Sequence, residues 1–171
     1  MEYIFSELRE IDRSLNPSAK KDFTDAILNC DGKIVGLGAG RMGYSLQAFM
    51  MRLSHLGFPA FMIGDTSLPR IGSDDLVIVN SSSGETPSIV LLAEIAKKHG
   101  AKILCLTAGV DSSLFKLSNI CITYDTFPSS QLMKTAYEQF SYIFFDECAL
   151  KLAEFGQLEI NEIETNHSIL E

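Results

Sequence analysis

Two short segments of this chain carry residue types suited to holding an anion. The first is Gly36-Leu37-Gly38-Ala39-Gly40-Arg41-Met42-Gly43, in which Gly38, Gly40 and Gly43 satisfy the G-x-G-x-x-G spacing between an apolar run and a helical pattern. The second is Ser81-Ser82-Ser83-Gly84-Glu85-Thr86-Pro87. Its four hydroxyl residues, with the free amides of the helix that Pro87 opens, can surround a phosphate dianion. An ordinary turn needs only one of those hydroxyls, with Thr86 as the helix cap. The glycine segment, followed by Asp65 near the end of the next apolar run, matches a dinucleotide-binding unit on paper. The serine segment argues against that reading, because a dinucleotide enzyme gains little from a second phosphate loop. Only about 50 residues follow the last apolar run, too few for a separate catalytic domain. Together the two segments predict a monophosphorylated metabolite, its phosphate on the serine segment and the rest of it near the glycine segment.

Continuous apolar runs lead into these segments and follow them, at Lys33–Leu37, Ala60–Ile63, Leu76–Val79, Ile103–Leu106 and Ile120–Thr123. Unbroken runs of this length read as strands covered on both faces. Helical patterns separate most of them, at Met42–Leu56, Pro87–His99 and Ser112–Leu117. The alternation predicts an α/β domain with right-handed crossovers and a parallel, doubly wound sheet. Ligands of such sheets bind beyond the carboxyl ends of the strands, where both segments fall. Residues 1–30 read as amphipathic helices broken at Asn16-Pro17. A last helix is expected over Leu132–Phe155, with Leu132, Met133, Ala136, Phe140, Ile143 and Phe144 toward the sheet. Tyr137, Phe145, Ala149 and Leu152 carry its apolar surface further round, so it needs cover on nearly every side, which predicts oligomerisation.

The chain has 171 residues, 46% hydrophobic and 21% charged, as expected for one globular domain over residues 1–171 with N-terminal helices in 1–30 and a C-terminal tail from 156. Fourteen basic against 22 acidic residues give a net charge of −8, which opposes association with nucleic acid or anionic membrane surfaces. No secretory pattern opens the chain and no apolar run approaches ~18 residues, so a cytoplasmic setting is expected. Cys30, Cys105, Cys121 and Cys148 form no CxxC pair and do not cluster with the three histidines, which predicts no metal site.

At Gly38–Gly43, Met51–Phe58, Asp65–Pro69, Ser81–Thr86, Ala136-Tyr137-Glu138 and the closing His167-Ser168-Ile169-Leu170-Glu171, the sequence resembles the SIS (sugar isomerase) domain family, in its 6-phospho-3-hexuloisomerase branch. The resemblance implies a three-layer, flavodoxin-like αβα sandwich around five parallel strands, a homotetramer, and no metal or organic cofactor. It implies interconversion of D-arabino-hex-3-ulose 6-phosphate and fructose 6-phosphate, a step of the ribulose monophosphate route. By position, Ser81, Ser83 and Thr86 would hold phosphate, with Ser82 and Gly84 in the same loop. Gly40 and Arg41 would lie against the substrate, Glu138 would be the base, and His167 would be a second acid/base group reaching a neighbouring subunit's site. Met42, Ser82 and Lys134 depart from the family pattern, which has Ser, Gly and Gly there. Those departures leave open another phosphosugar isomerase, and a non-catalytic sugar-phosphate sensor is the alternative from a different class.

Overall fold

The computed structural model describes residues 1–158 and 160–167. Strands β1 (Ile34–Gly38), β2 (Ala60–Met62), β3 (Leu76–Asn80), β4 (Lys102–Thr107) and β5 (Ile120–Thr123) form one parallel sheet in the order β2-β1-β3-β4-β5. The helices are α1 (Glu2–Ser14), α2 (Ala19–Leu28), α3 (Gly40–His55), α4 (Pro87–Lys98), α5 (Ser113–Leu117), α6 (Thr135–Phe155) and α7 (Ile160–Thr165). The outcome is the expected αβα sandwich, with α1, α2, α3 and α6 on one side and α4 and α5 on the other.

Side chains alternate across the strands, as the pleat requires. Ile34, Leu76, Ile78, Leu104, Leu106 and Ile122 enter the core beneath α3 and α6. Val35, Leu37, Val77, Val79, Ile103 and Cys105 enter the smaller core beneath α4. Phe23 of α2, Phe49 of α3, and Phe144 and Phe145 of α6 close the larger core. Phe49 stacks on Phe145 at 4.9 Å between centroids, and Phe23 meets Phe144 edge-on at 5.2 Å. The strands at the sheet margins, β2 and β5, are only partly covered, unlike the fully buried β3.

Three expectations change. The last helix begins at Thr135, because Met133 takes a left-handed φ of 53° and the Thr135 hydroxyl and amide both donate to the Leu132 carbonyl. Leu132 and Met133 therefore lie in an exposed turn and do not face the sheet. Ile143 is also exposed, since the rows that reach the core run through Tyr137, Phe140, Ser141, Phe144, Phe145 and Cys148. The region expected as a tail contains α7, which packs on α3, with Asn166 Nδ2 donating to the His55 carbonyl at 3.0 Å. Among the described residues no helix is long and apolar enough to cross a membrane.

A buried ion pair joins the start of β1 to the turn before β3. Asp75 accepts from Lys33 Nζ at 2.6 Å, from the Lys33 amide at 2.9 Å and from the Gly72 amide at 2.7 Å. Burial alone would push the Asp75 carboxyl up, but these donors and the Lys33 charge together hold it below its ordinary value. A carboxyl lowered in the folded state stabilises the fold above its unfolded pKa, and that stability is lost as pH falls through the folded value. Asp75→Ala should therefore lower unfolding free energy at neutral pH by about 3 kcal/mol in denaturant titrations. The deficit relative to wild type should shrink as pH is lowered into the acid range.

Candidate functional site

The site begins where β1 and β3 end side by side. Gly38 is the register partner of Asn80, so the glycine loop and the serine loop leave adjacent strands at the point where strand order reverses. Behind the first loop, α3 packs directly on β1. A Cβ on Gly43 would lie 2.7 Å from the Gly38 carbonyl oxygen, and one on Gly38 would lie 3.1 Å from Gly43 Cα. The seam is backbone against backbone, which fixes where the first turn of α3 points. Gly40 and Arg41 are exposed on that turn.

Asn80 closes the otherwise apolar β3 and is fully buried. Its Nδ2 donates to the Met42 carbonyl at 3.1 Å, to Ser45 Oγ at 3.0 Å and to Ser141 Oγ at 3.3 Å. Its Oδ1 accepts from the Tyr137 hydroxyl, which also lies 2.9 Å from the Leu106 carbonyl. Ser45 and Ser141 hydroxyls meet at 3.0 Å. One amide side chain thus ties β3 to both α3 and α6. Buried polar groups satisfied in this way specify a single arrangement of the elements that carry them.

The serine loop is shaped by its own bonds. Gly84 takes a left-handed φ of 67°, donates to the Ser81 carbonyl at 3.2 Å and accepts from the Leu114 amide at 3.1 Å. A Cβ there would run into the Ser112 side chain. Ser83 Oγ accepts from the Glu85 amide at 3.2 Å. Thr86 occupies the cap position of α4 but, contrary to expectation, makes no side-chain cap bond; its hydroxyl lies 3.4 Å from that of Ser81. Among the described residues the amides of Ser82, Ser83, Thr86 and Ser88 take no carbonyl partner. Hydroxyls and unpaired amides therefore gather at the start of α4, as an anion site requires. Glu85 is turned away and accepts from the Ser113 amide at 2.7 Å and hydroxyl at 2.8 Å, which together hold its carboxyl below the ordinary value.

Glu138 lies in the first turn of α6, one residue after Tyr137 and three before Ser141, both bound to Asn80. Its carboxylate pairs with Arg41 Nε, joining the glycine loop to α6. The Glu138 side chain is 14% exposed and that of Arg41 67%. The structure thus brings together Gly40, Arg41 and Glu138 at one end of α3, next to the strand from which Ser81–Thr86 departs. It does not bring His167 to them within the chain. The His167 ring lies 4.8 Å from that of His55, at the opposite end of α3, roughly 20 Å from Arg41 at 1.5 Å per helical residue. Ser168–Glu171, the rest of the closing motif, lie outside the described residues. Asp65, the acid of the dinucleotide reading, accepts from the Met62 amide at 2.7 Å and closes the turn after β2. Asn80, Ser45 and Ser141 escape a motif search. Their signal is a lone amide ending an apolar run and one serine on each helix facing it.

The sequence profile of the SIS domain family matches residues 27–144. A Bacillus subtilis protein named 3-hexulose-6-phosphate isomerase is 32% identical, over 99% of this chain and 98% of its own length. The crystal structure of a Methanococcus jannaschii protein, from which a molecular function of 3-hexulose-6-phosphate isomerase was inferred, superposes with a TM-score of 0.90 at 27% identity, covering 99% of this chain and 98% of that one. The Vibrio vulnificus NanR protein, solved in complex with ManNAc-6P, shares the fold at a TM-score of 0.76 and 19% identity, over 96% of this chain and 64% of that one.

Removing the shared amide tests whether it anchors this end of the molecule. Asn80→Ala should cost about 2–3 kcal/mol of unfolding free energy, because it leaves buried hydroxyls without their common partner. Hydrogen exchange should accelerate in the first turns of α3 and α6 before it does in β4.

Proposed function

We infer, since this chain belongs to the SIS domain family, that it is a sugar-phosphate isomerase and acts as a 3-hexulose-6-phosphate isomerase. The observation that carries the site assignment is the Glu138 carboxylate, held on α6 beside Arg41 of the glycine loop, whose strand is the register neighbour of the one that leads into the serine loop. In this proposal the phosphate sits on Ser81, Ser82, Ser83, Gly84 and Thr86, where hydroxyls and unpaired amides converge. Glu138 takes the proton from C2 of the 3-ketose, and electrons flow into the C3 carbonyl as O3 takes a proton from the second acid/base group, giving a cis-enediol. The same carboxylate returns the proton to C3 while O2 gives its proton back to that group, giving the 2-ketose. Only protons move, so one carboxylate and an imidazole or water suffice. Substrate entry frees Glu138 as the guanidinium of Arg41 turns to a substrate oxygen, and Gly40 leaves the backbone open to its approach. His167 would supply the second acid/base group from a neighbouring copy, since it lies far from Glu138 in its own chain.

A second reading, a different phosphosugar isomerase, is favoured by Ser82 and Lys134, which line one cavity and differ from the family pattern. Association of copies is part of the proposal. Tyr142, Ile143 and Leu150 on α6 and Tyr44 on α3 are exposed apolar groups, and Tyr44, Tyr142 and Ile143 border a groove that contains Arg41 and Glu138. A second chain seated there would cover the apolar face and shield the ion pair, and the family resemblance points to four copies. Ile143→Glu should therefore shift the sedimentation coefficient toward that of a single chain; an unchanged value would remove this face from the interface.

The chemistry is read by incubating the protein with fructose 6-phosphate in D2O. Formation of the 3-ketose, with deuterium at its C2 and at C3 of the recovered fructose 6-phosphate, supports the proposed reaction. Entry at C1 indicates an aldose–ketose isomerase, and binding with neither exchange nor product indicates a sensor. Glu138→Gln should lower exchange by about 10²–10⁴-fold while phosphosugar binding persists; undiminished exchange would reject Glu138 as the base.

A further inference from the structure

The four cysteines are free thiols, and the proposed reaction, which moves only protons, uses none of them. Two of them nevertheless stand in a particular relation. Cys105 and Cys121 are distant in sequence, yet β4 and β5 pair in a register that sets them directly opposite each other. Neighbouring strands run ~4.8 Å apart, inside the roughly 4.4–6.8 Å that Cα atoms span across a disulfide. Register partners in a parallel pair project to the same face, and both side chains enter the smaller core beneath α4. Cys105 is fully buried there, and the partly covered Cys121 packs against that core. Closing a bond needs the two Cβ atoms nearer by about 1 Å. Only one partner has to move, because β5 is a four-residue strand at the margin of the sheet, paired with β4 alone. Cys148 and Cys30 lie across the sheet in the larger core, where the Cys30 thiol faces the Lys33 and Asp74 carbonyls.

The two thiols are unequal. Hydrogen bonding from the Cys105 thiol favours the Cys121 thiolate and holds Cys121 below its ordinary value, although burial opposes this. The same contact, reinforced by burial, pushes Cys105 well above its ordinary value. Cys121 is also the sulfur that solvent can reach, since Cys105 has no exposed surface. A small oxidant therefore meets the better nucleophile first, with a second thiol directly behind it.

We propose that Cys105 and Cys121 are a reversible oxidation site, in which Cys121 reacts with a peroxide and Cys105 resolves the product as a disulfide between β4 and β5. The Cys121 thiolate attacks one peroxide oxygen and the O–O bond breaks. The departing hydroxide regains the proton that Cys121 had released and leaves as water, so Cys121 becomes a sulfenic acid. The Cys105 sulfur then attacks that sulfur and the S–O bond breaks. The Cys105 proton leaves with the oxygen as a second water. Two thiols are thereby oxidised and one peroxide is reduced, and a dithiol reductant restores both thiols by exchange. The site stands apart from the phosphosugar reading, since neither sulfur takes part in the proton transfers.

The test treats the folded protein with hydrogen peroxide, alkylates the remaining thiols in denaturant and maps tryptic peptides by mass spectrometry. Cleavage after Lys116 separates the two cysteines, so the bond appears as residues 103–116 joined to residues 117–134. Two of the four thiols should escape alkylation, with a mass loss of two hydrogens, and dithiothreitol should return both. Cys105→Ala should leave Cys121 as a sulfenic acid captured by dimedone, and Cys121→Ser should keep Cys105 as a thiol. Where a variant does not fold, the wild-type peptide map alone decides. Three wild-type results would overturn the site: both thiols surviving, irreversible oxidation of Cys121 beside an intact Cys105 thiol, or pairing of either cysteine with Cys30 or Cys148.

Discussion

The arrangement of the site depends on one buried amide. Asn80 sits where β3 gives way to the serine loop, and its donors and acceptor reach α3 on one side and α6 on the other. Each partner lies within a turn or so of a group that faces solvent: Met42 next to Arg41, and Tyr137 and Ser141 flanking Glu138. Packing among Phe23, Phe49, Phe144 and Phe145 draws the same helices together further from the site, but apolar contact is tolerant of sliding. Directional bonds to a single fixed side chain are not. The combination lets an apolar core supply cohesion while a small polar cluster sets register.

From that anchor the two loops acquire different characters. The glycine loop is tight because a helix lies on a strand with no side chain between them, and it presents Arg41 outward. The serine loop is held by backbone contacts to Ala108 and Leu114 behind it, leaving hydroxyls and amides in front. One loop therefore offers an exposed cation paired with Glu138, and the other a group of hydroxyls and amides held from behind. The acid of the site arrives from a third direction, on a helix that begins only after an irregular turn pinned to α1 through Glu7.

Much of this was legible beforehand, for reasons that differ element by element. Strands β1, β3 and β4 are buried on both faces, so their apolar runs are unbroken and stand out. The loop chemistry was equally visible, because three serines in a row serve no packing purpose. The start of α6 was not, since Leu132 and Met133 continue a helical apolar pattern and nothing in their types announces a left-handed turn. The Asn80 cluster was hidden because its members are single polar residues scattered over three elements, related only through space. Cys105 and Cys121 were hidden similarly: their spacing matches no dithiol motif, and only strand register reveals that they are neighbours. Glu138 and His167 carried no local signal and came from family resemblance alone.

The seam between Gly38 and Gly43 has a consequence for how such proteins diverge. Elsewhere in the core, a change on one element can be compensated by a change of volume on its neighbour. Here there is no volume to exchange, because neither partner has a side chain. Mutational drift can rewrite the surrounding sequence extensively while these two positions stay locked to each other, so a lineage could abandon its original substrate and still inherit the same hinge of backbone beneath the new one.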